Sequence, residues 1–349
     1  MKKIFAALSA GQSAGRGAVL CSIAASSGST PRGPGAAMLA LESGEAIGTI
    51  GGGAAEYRAM ELARQMLAEK RSGFASYSLS AGEAADLGMI CGGSLRLYLQ
   101  YFDPARRDLP PVLQTALELL SGPQAAWLVT AISPDGSWRM GTFDRQNGLR
   151  GLPGVSPADV EPLLGRQAAL SEGEPVLYVE PLNQTGTVYL FGAGHVGREL
   201  THILSLADFR VVVWDERPHA ADKAALPDAA AVLCGPYSAA MEKLPPITPE
   251  DYVVVMTPGH QADYTVLEQV LQTPARYIGC IGSRKKVAAT RERLLEAGFT
   301  AAEIDRVCAP IGLPIGGKTP AEVAISVAAQ MIACRWNRLD WEGMRYAAN

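Results

Sequence analysis

Short apolar runs alternate with stretches of helical periodicity along the second half of the chain. The apolar runs lie at 187–191, 210–214, 231–234, 252–256 and 276–281, and the helical stretches lie at 195–207, 262–272, 284–297 and 319–336. Strands that alternate with helices in this way predict a mostly parallel sheet with helices on both faces. We therefore expect a doubly wound α/β domain over residues 186–349.

The first half follows a different pattern, with loops rich in glycine and proline between shorter elements. Helices are predicted at 4–10, 54–70 and 111–121, and strands at 18–25, 36–41, 46–50, 77–79, 94–101, 126–132, 138–143 and 176–181. The tetrapeptide 133–136 has the composition of a hairpin turn. These elements predict an N-terminal α+β domain over residues 1–185, whose distinctive motifs lie within 1–105. The hinge is expected at 183–186.

The first apolar run of the second half leads into a glycine-rich turn with the sequence Gly192-x-Gly194-x-x-Gly197. In such a turn Gly192 permits the tight bend, Gly194 lets the backbone approach a ligand, and Gly197 lets the helix pack closely on the strand. The helix N-terminus favours an anion, and His195 is expected to pack or donate locally. The pattern predicts a Rossmann-like fold, with a dinucleotide or without one.

A second polar turn follows the next predicted strand and is expected at the same rim of the sheet, where ligands bind. It contains Asp215 and Arg217. Asp215 is a candidate acceptor for ribose hydroxyls, and Arg217 is a candidate phosphate contact. Alternatively, both are ordinary surface charges.

Two more polar turns complete this rim. His260, flanked by turn formers, is either an acid, base or donor, or a residue that holds its loop. Ser283, Arg284 and Lys285 begin a predicted helix, where they either bind an anion or form a capped, solvated helix start. Further on, the sequence Thr319-Pro320-Ala321-Glu322 has the spacing of a helix capping box.

Two loops of the first half also carry candidate chemistry. Gly51, Gly52 and Gly53 precede a helix and either seat an anion or permit close packing. Cys91 lies in a turn bounded by glycines, where a thiol is either an accessible ligand for metal or sulfur or a buried side chain. The cysteines that lie inside apolar runs are expected to be buried, and they are Cys21, Cys234 and Cys280.

Composition narrows the class of protein. The 349 residues have a formal net charge of −4 and contain no basic block, which disfavours a nucleic-acid partner. No apolar run reaches the length of a membrane span, and the N-terminal residues 1–10 are interpreted as a helix and not as a signal peptide. The six scattered cysteines suit a reducing, cytoplasmic environment. The spacing of the four histidines does not favour a zinc site.

Taken together, the motifs resemble those of the XdhC/CoxI accessory proteins, which are maturation factors for xanthine dehydrogenase and related molybdenum hydroxylases. The resemblance is carried by residues 28–32, 48–56, 88–93, 192–197, 257–263, 277–286, 310–313 and 319–322. It spans both halves of the chain and leaves out 106–185.

The resemblance implies a cytoplasmic chaperone, not an enzyme. Such a chaperone binds molybdenum cofactor (molybdopterin) as cargo, protects it while a cysteine desulfurase-type sulfurase exchanges an oxo for a sulfido ligand, and delivers it to an apo molybdenum hydroxylase such as xanthine dehydrogenase. The cargo is a phosphorylated pterin, which suits turns that seat anions. A homodimer is consistent with the apolar C-terminal helix.

Two departures from the family pattern limit what carries over. Some relatives have a cysteine directly after the triple glycine, where this chain has Ala54, and some have a second cysteine where it has Ile90. Cys91 is then the remaining thiol candidate for the metal. An alternative function, suggested by the glycine turn with Asp215, is an NAD(P)-dependent oxidoreductase that uses His260 as acid or base.

Overall fold

A computed structural model describes residues 1–78, 93–183 and 186–339. The chain divides into two compact units, Met1–Gln184 and Thr185–Asn349. Among the described helices, none is long and apolar enough to cross a membrane.

The first unit contains two antiparallel five-stranded sheets. The first sheet has the order β3-β2-β1-β5-β4 and the second the order β8-β7-β6-β10-β9. The strands are β1 (Ala18–Ser27), β2 (Ala37–Leu41), β3 (Ala46–Gly48), β4 (Gly73–Ser78), β5 (Ser94–Phe102), β6 (Ala126–Ile132), β7 (Trp138–Asp144), β8 (Gly148–Arg150), β9 (Ala169–Leu170) and β10 (Val176–Asn183).

Helices cover these sheets because each presents an apolar face to them. The helices are α1 (Lys2–Ser13), α2 (Gly53–Glu69), α3 (Leu109–Ser121) and the short α4 (Pro157–Val160), which a 3-10 turn at Glu161–Leu163 continues. Helix α2 turns Ala55, Ala59 and Ala63 toward the first sheet, and these small residues allow close approach. Side chains of both sheets share one core with α1 and α3.

The second unit is a parallel six-stranded sheet with the order β13-β12-β11-β14-β15-β16. Its strands are β11 (Thr187–Phe191), β12 (Arg210–Asp215), β13 (Ala231–Cys234), β14 (Tyr252–Val255), β15 (Tyr277–Cys280) and β16 (Val307–Cys308). The order reverses between β11 and β14, which is the switch point of a Rossmann fold. The predicted α/β class and doubly wound sheet are confirmed.

Helices pack on both faces of this sheet. They are α5 (His195–Leu206), α6 (Ala240–Lys243), which a 3-10 turn at Tyr237–Ala239 precedes, α7 (His260–Val270), α8 (Arg284–Glu296), α9 (Ala301–Ile304) and α10 (Pro320–Arg335). Alternate residues of β11 point to opposite faces: Leu190 packs with α5 and α10, whereas Phe191 packs with α7 and α8. Both faces are therefore buried, as the continuous apolar runs require.

Two predictions about individual elements are wrong. Strand β4 begins at Gly73, before the predicted 77–79, and its pairing with β5 explains the earlier start. Cys234 is exposed and not buried, because β13 is the edge strand of its sheet and ends at this residue. The predicted burial of Cys21 and Cys280 is confirmed.

Candidate functional site

The glycine turn between β11 and α5 depends on two glycines for its shape. Gly192 has a φ of +117°, and a Cβ there would collide with the carbonyl oxygen of Met256. A Cβ at Gly197 would collide with the carbonyl oxygen of Gly192. These two glycines therefore set the bend and the close contact of α5 with the sheet.

Gly194 has a different environment. Its φ of −71° suits any residue, and a Cβ there would meet no atom within 4 Å. Gly194 is the N-cap of α5, and no side chain caps that end of the helix. The first amides of an α-helix lack intrahelical acceptors, and the space beside Gly194 is open. This is the geometry of an anion seat. His195, the first residue of α5, is exposed at its edge.

Asp215 at the end of β12 is fully buried. One carboxylate oxygen accepts hydrogen bonds from the Ala193 amide (2.8 Å) and from Nη2 of Arg217 (2.8 Å). The other accepts from the Arg217 amide (2.9 Å) and from Nε of Arg217 (2.9 Å). Asp215 therefore ties the glycine turn to the turn after β12.

These contacts decide the charge of Asp215. Burial on its own raises the pKa of the carboxyl, but the hydrogen bonds from Arg217 and Ala193 outweigh burial and lower the pKa below its usual value. Four hydrogen bonds fill the acceptor capacity of a carboxylate. A ribose hydroxyl reaches Asp215 only if it displaces Arg217 or Ala193. The structure thus pairs Asp215 with Arg217, the two residues of this turn that the sequence indicated as candidate ligand contacts.

The loop after β14 is held by a second buried carboxylate. Asp263 in α7 is fully buried and accepts hydrogen bonds from the amide of Thr257 (3.0 Å) and from its hydroxyl (2.5 Å). Its other oxygen forms an ion pair with the ammonium of Lys286 in α8. This arrangement fixes the loop at the switch point and links it to the start of the next helix.

A cavity of about 690 Å³ lies between the starts of α7 and α8. Three of the predicted site residues line it together, His260, Ser283 and Lys285. Arg284 is exposed and is not among the lining residues. The hydroxyl of Ser283 caps α8 by accepting a hydrogen bond from the amide of Lys286 (3.4 Å).

Sequence reasoning missed two pairs at this cavity. The ion pair of Asp263 with Lys286 was not predicted, nor was Arg293, whose guanidinium lies 3.7 Å from the ring centroid of Tyr264. Asp263 and Lys286 both lie in motifs that were recognised, but a pattern within one loop carries no signal for a partner in another. Arg293 lies two turns further along α8, outside any motif.

The triple glycine before α2 adopts a backbone that other residues rarely reach, with φ of +128°, +76° and +64° at Gly51, Gly52 and Gly53. The carboxylate of Glu56 accepts hydrogen bonds from the amides of Ile50 (2.9 Å) and Gly52 (3.1 Å) and from the hydroxyl of Thr49. Burial raises the pKa of Glu56, but these hydrogen bonds outweigh it and lower the pKa. The carboxylate of Glu56, an anion of the protein itself, therefore occupies the amides of Ile50 and Gly52.

The N-terminal motifs meet at one end of the first sheet. A Cβ at Gly51 would lie 2.7 Å from Cβ of Pro31, and a Cβ at Gly93 would lie 2.6 Å from the carbonyl oxygen of Ser29. The hydroxyls of Ser27 and Ser94 hydrogen-bond at 2.8 Å. Cys91 lies outside the residues that the structure describes. Within the described ranges, no group of three or more histidine, cysteine and acidic side chains is placed to hold a metal ion.

Comparison with known proteins identifies relatives of both units. The family model described as the XdhC Rossmann domain matches residues 188–331, and the model described as the XdhC and CoxI family matches residues 12–78. The chain is 24% identical over 322 residues to a Bacillus subtilis (strain 168) protein whose description is that of a probable subunit of xanthine dehydrogenase. That match covers 91% of this chain and 93% of the relative.

Two further proteins are similar to this chain over most of its length. The chain is 24% identical over 319 residues to the uncharacterized protein YqeB of Escherichia coli (strain K12); the match covers 91% of this chain and 43% of YqeB, so the chain spans less than half of that relative. A crystal structure described as a xanthine dehydrogenase from Bacillus halodurans has a TM-score of 0.78 at 25% identity. It covers 97% of this chain and 96% of its own.

Proposed function

We propose that this chain, which two XdhC family models match over residues 12–78 and 188–331, is a maturation factor that binds molybdenum cofactor and inserts it into a xanthine dehydrogenase-type hydroxylase. A role related to xanthine dehydrogenase follows from the family and from the names of the similar proteins. Three further points are part of the proposal. The protein carries the cofactor as cargo, protects it during sulfuration and delivers it to an apo-hydroxylase. In this role the protein binds and transfers and does not catalyse.

The observation that carries the proposal is the open seat at Gly194. A phosphorylated pterin needs a place for its phosphate, and the uncapped start of α5 offers amide donors with free space beside them. Gly192 and Gly197 fix this turn, and its position at the switch point of the sheet is where Rossmann folds bind ligands.

Residues around the seat hold it ready for the cargo. Asp215 fixes the Ala193 amide and keeps Arg217 in place, so the turn needs no reorganisation when the phosphate arrives. Thr257 and Asp263 hold the neighbouring loop on the other side of the switch point. His195 directly follows Gly194, and Arg217 donates to the same Asp215 oxygen as the Ala193 amide, so both are proposed as additional donors to the cargo.

As a further part of the proposal, Cys91 is the candidate thiol for the metal of the cargo, and Cys91→Ala tests this directly. If the thiol meets molybdenum, the variant keeps the pterin but loses protection of the sulfido ligand. If the variant loses neither the pterin nor the protection of the sulfido ligand, Cys91 does not have this role.

Cargo retention tests the proposal. Purified protein is mixed with molybdenum cofactor, separated by gel filtration, and assayed for pterin fluorescence after oxidation and for the power to activate an apo-hydroxylase. The proposal expects co-elution of pterin and activation, both reduced in Gly194→Val. Gly173→Val is the matched control, since a Cβ at Gly173 also meets no atom within 4 Å. Absence of pterin retention by the wild type rejects the proposal.

Titration with nicotinamide cofactors tests the alternative function, an NAD(P)-dependent oxidoreductase. The glycine turn in a complete Rossmann sheet favours that alternative, and the occupied carboxylate of Asp215 disfavours it. NADH and NADPH are titrated up to about 100 µM, a generous concentration beside usual KM values. Nicotinamide binding without pterin retention supports the oxidoreductase.

A further inference from the structure

We propose that the cavity between α7 and α8 is a second anion site, which binds the diphosphate group of a small molecule. Its volume of about 690 Å³ lies in the range of ligand pockets. None of the residues 192–197 is among its lining residues, so its lining is distinct from the turn that forms the seat at Gly194. The inference therefore does not rest on the proposed cargo.

The charged residues that line the cavity indicate that its ligand is an anion. The cationic side chains that line the cavity are Lys285, Lys286 and Arg293, and no acidic side chain is among its lining residues. Lys286 is neutralised in part by Asp263 behind it. Lys285 and Arg293 then leave a positive cavity, which favours a multiply charged anion over a single carboxylate.

Two helix starts give the cavity its donors. Gly259 precedes α7 without a side-chain cap, and Ser283 caps α8, and both residues line the cavity. The hydroxyl of Ser283 accepts a hydrogen bond from the Lys286 amide, which leaves its own proton free to donate to a ligand. Each helix contributes a partial positive charge. Two such ends with two cations match two linked phosphoryl groups.

Arg293 is held ready for this contact. Its guanidinium lies on the face of Tyr264, 3.7 Å from the ring centroid, and one of its nitrogens donates to Oε1 of Gln261 (2.6 Å). The stack fixes the plane of the guanidinium and leaves further N–H groups for an anion. We therefore assign Arg293 and Lys285 as the principal anion contacts.

Calorimetric titration of the full chain with inorganic pyrophosphate tests the proposal. Lys285→Ala and Arg293→Gln are each expected to weaken binding about tenfold. Arg284→Ala is the matched control, because it removes the same charge from the same turn at an exposed position outside the lining. It is expected to change affinity by less than about twofold. A parallel titration with ADP distinguishes two sources of the diphosphate group. A nucleotide site binds ADP more tightly than pyrophosphate, whereas a site for free pyrophosphate does not.

Three results overturn the proposal. The first is no binding of pyrophosphate or ADP to the wild type at about 1 mM. The second is an equal effect of Arg284→Ala and Lys285→Ala, which indicates unspecific charge attraction. The third is loss of pyrophosphate binding in Gly194→Val with no effect of Lys285→Ala. Pterin retention is a separate readout, so this proposal and the proposed function fail independently.

Discussion

The backbone amide of Ala193 in the glycine turn donates a hydrogen bond of 2.8 Å to the buried carboxylate of Asp215 at the end of the next strand. A residue that a sequence motif assigns to a ribose is therefore part of the structure of the turn itself. Arg217 completes the arrangement by donating to both oxygens of the same carboxylate. The turn is preformed before any ligand arrives.

Asp215→Asn is expected to destabilise the protein by about 2–3 kcal/mol, because the amide turns a donor toward Arg217 and leaves buried donors unpaired. The free energy of unfolding, measured by chemical denaturation, checks this. Asp228→Asn is the control: its pair with His202 (2.8 Å) is solvent-exposed and is worth less than about 1 kcal/mol. Equal losses in both variants contradict the structural role of Asp215.

Gly192 and Gly194, two of the three glycines of the turn, are expected to differ in how much stability an alanine costs. Gly192→Ala costs about 2–4 kcal/mol, since it combines a positive φ with a collision against the carbonyl of Met256. Gly194→Ala changes the free energy of unfolding by less than about 0.5 kcal/mol, because its Cβ enters open space. Thermal and chemical denaturation of both variants measure this contrast. A strongly destabilised Gly194→Ala contradicts the open seat.

Stability is expected to depend on pH through Glu180 in the first unit. Burial raises the pKa of this carboxyl from 4.5 to about 7, although hydrogen bonds from Tyr178 and Ser22 oppose the rise. The folded state therefore keeps the proton longer than the unfolded state does. Stability falls as pH rises from about 4.5 to about 7, by roughly 3 kcal/mol in total, since each pH unit in that window is worth about 1.4 kcal/mol.

Denaturation of the wild type and of Glu180→Gln across this window measures the slope. The variant is expected to lose the downward slope, because its amide does not ionise. Glu172→Gln, at an exposed position of the same unit, keeps the slope of the wild type. The assignment is incorrect if Glu180→Gln and the wild type have the same pH profile.

The thiols are expected to differ sharply in reactivity. Burial raises the pKa of Cys21 and of Cys308 to about 12, and both are buried, whereas Cys234 is exposed. Alkylation of the native protein at pH 8, followed by peptide mapping, should label Cys234 more than about a hundred times faster than Cys21. Cys234→Ser removes that label. Rapid labelling of Cys21 in the folded protein contradicts its burial.

The sequence predicted those features that depend on residues near one another along the chain. The unit β11-α5-β12 follows from its apolar runs and glycines, and the capping box of Thr319 with Glu322 is present as predicted. The family resemblance is confirmed by both family models. The assignment of the cofactor-binding residues to a ligand stays a prediction.

Other features depend on contacts between distant loops and carry no local signal. The ion pair of Asp263 with Lys286 joins two motifs, and its geometry depends on the order of β14 and β15 in the sheet. The carboxylate of Glu56 occupies the amides before α2, which the glycines alone do not reveal. Strands β9 and β16 have two residues each, too few for a periodicity.

The most direct test of the account is pterin retention by the wild type, Gly194→Val and Gly173→Val after gel filtration with molybdenum cofactor. The wild type and Gly173→Val are expected to carry pterin and activate an apo-hydroxylase, while Gly194→Val, equally folded, carries about a tenth as much or less. If Gly194→Val and the wild type retain equal amounts of pterin, the phosphate does not bind at this turn. No retention by any of the three contradicts the role as a cofactor carrier.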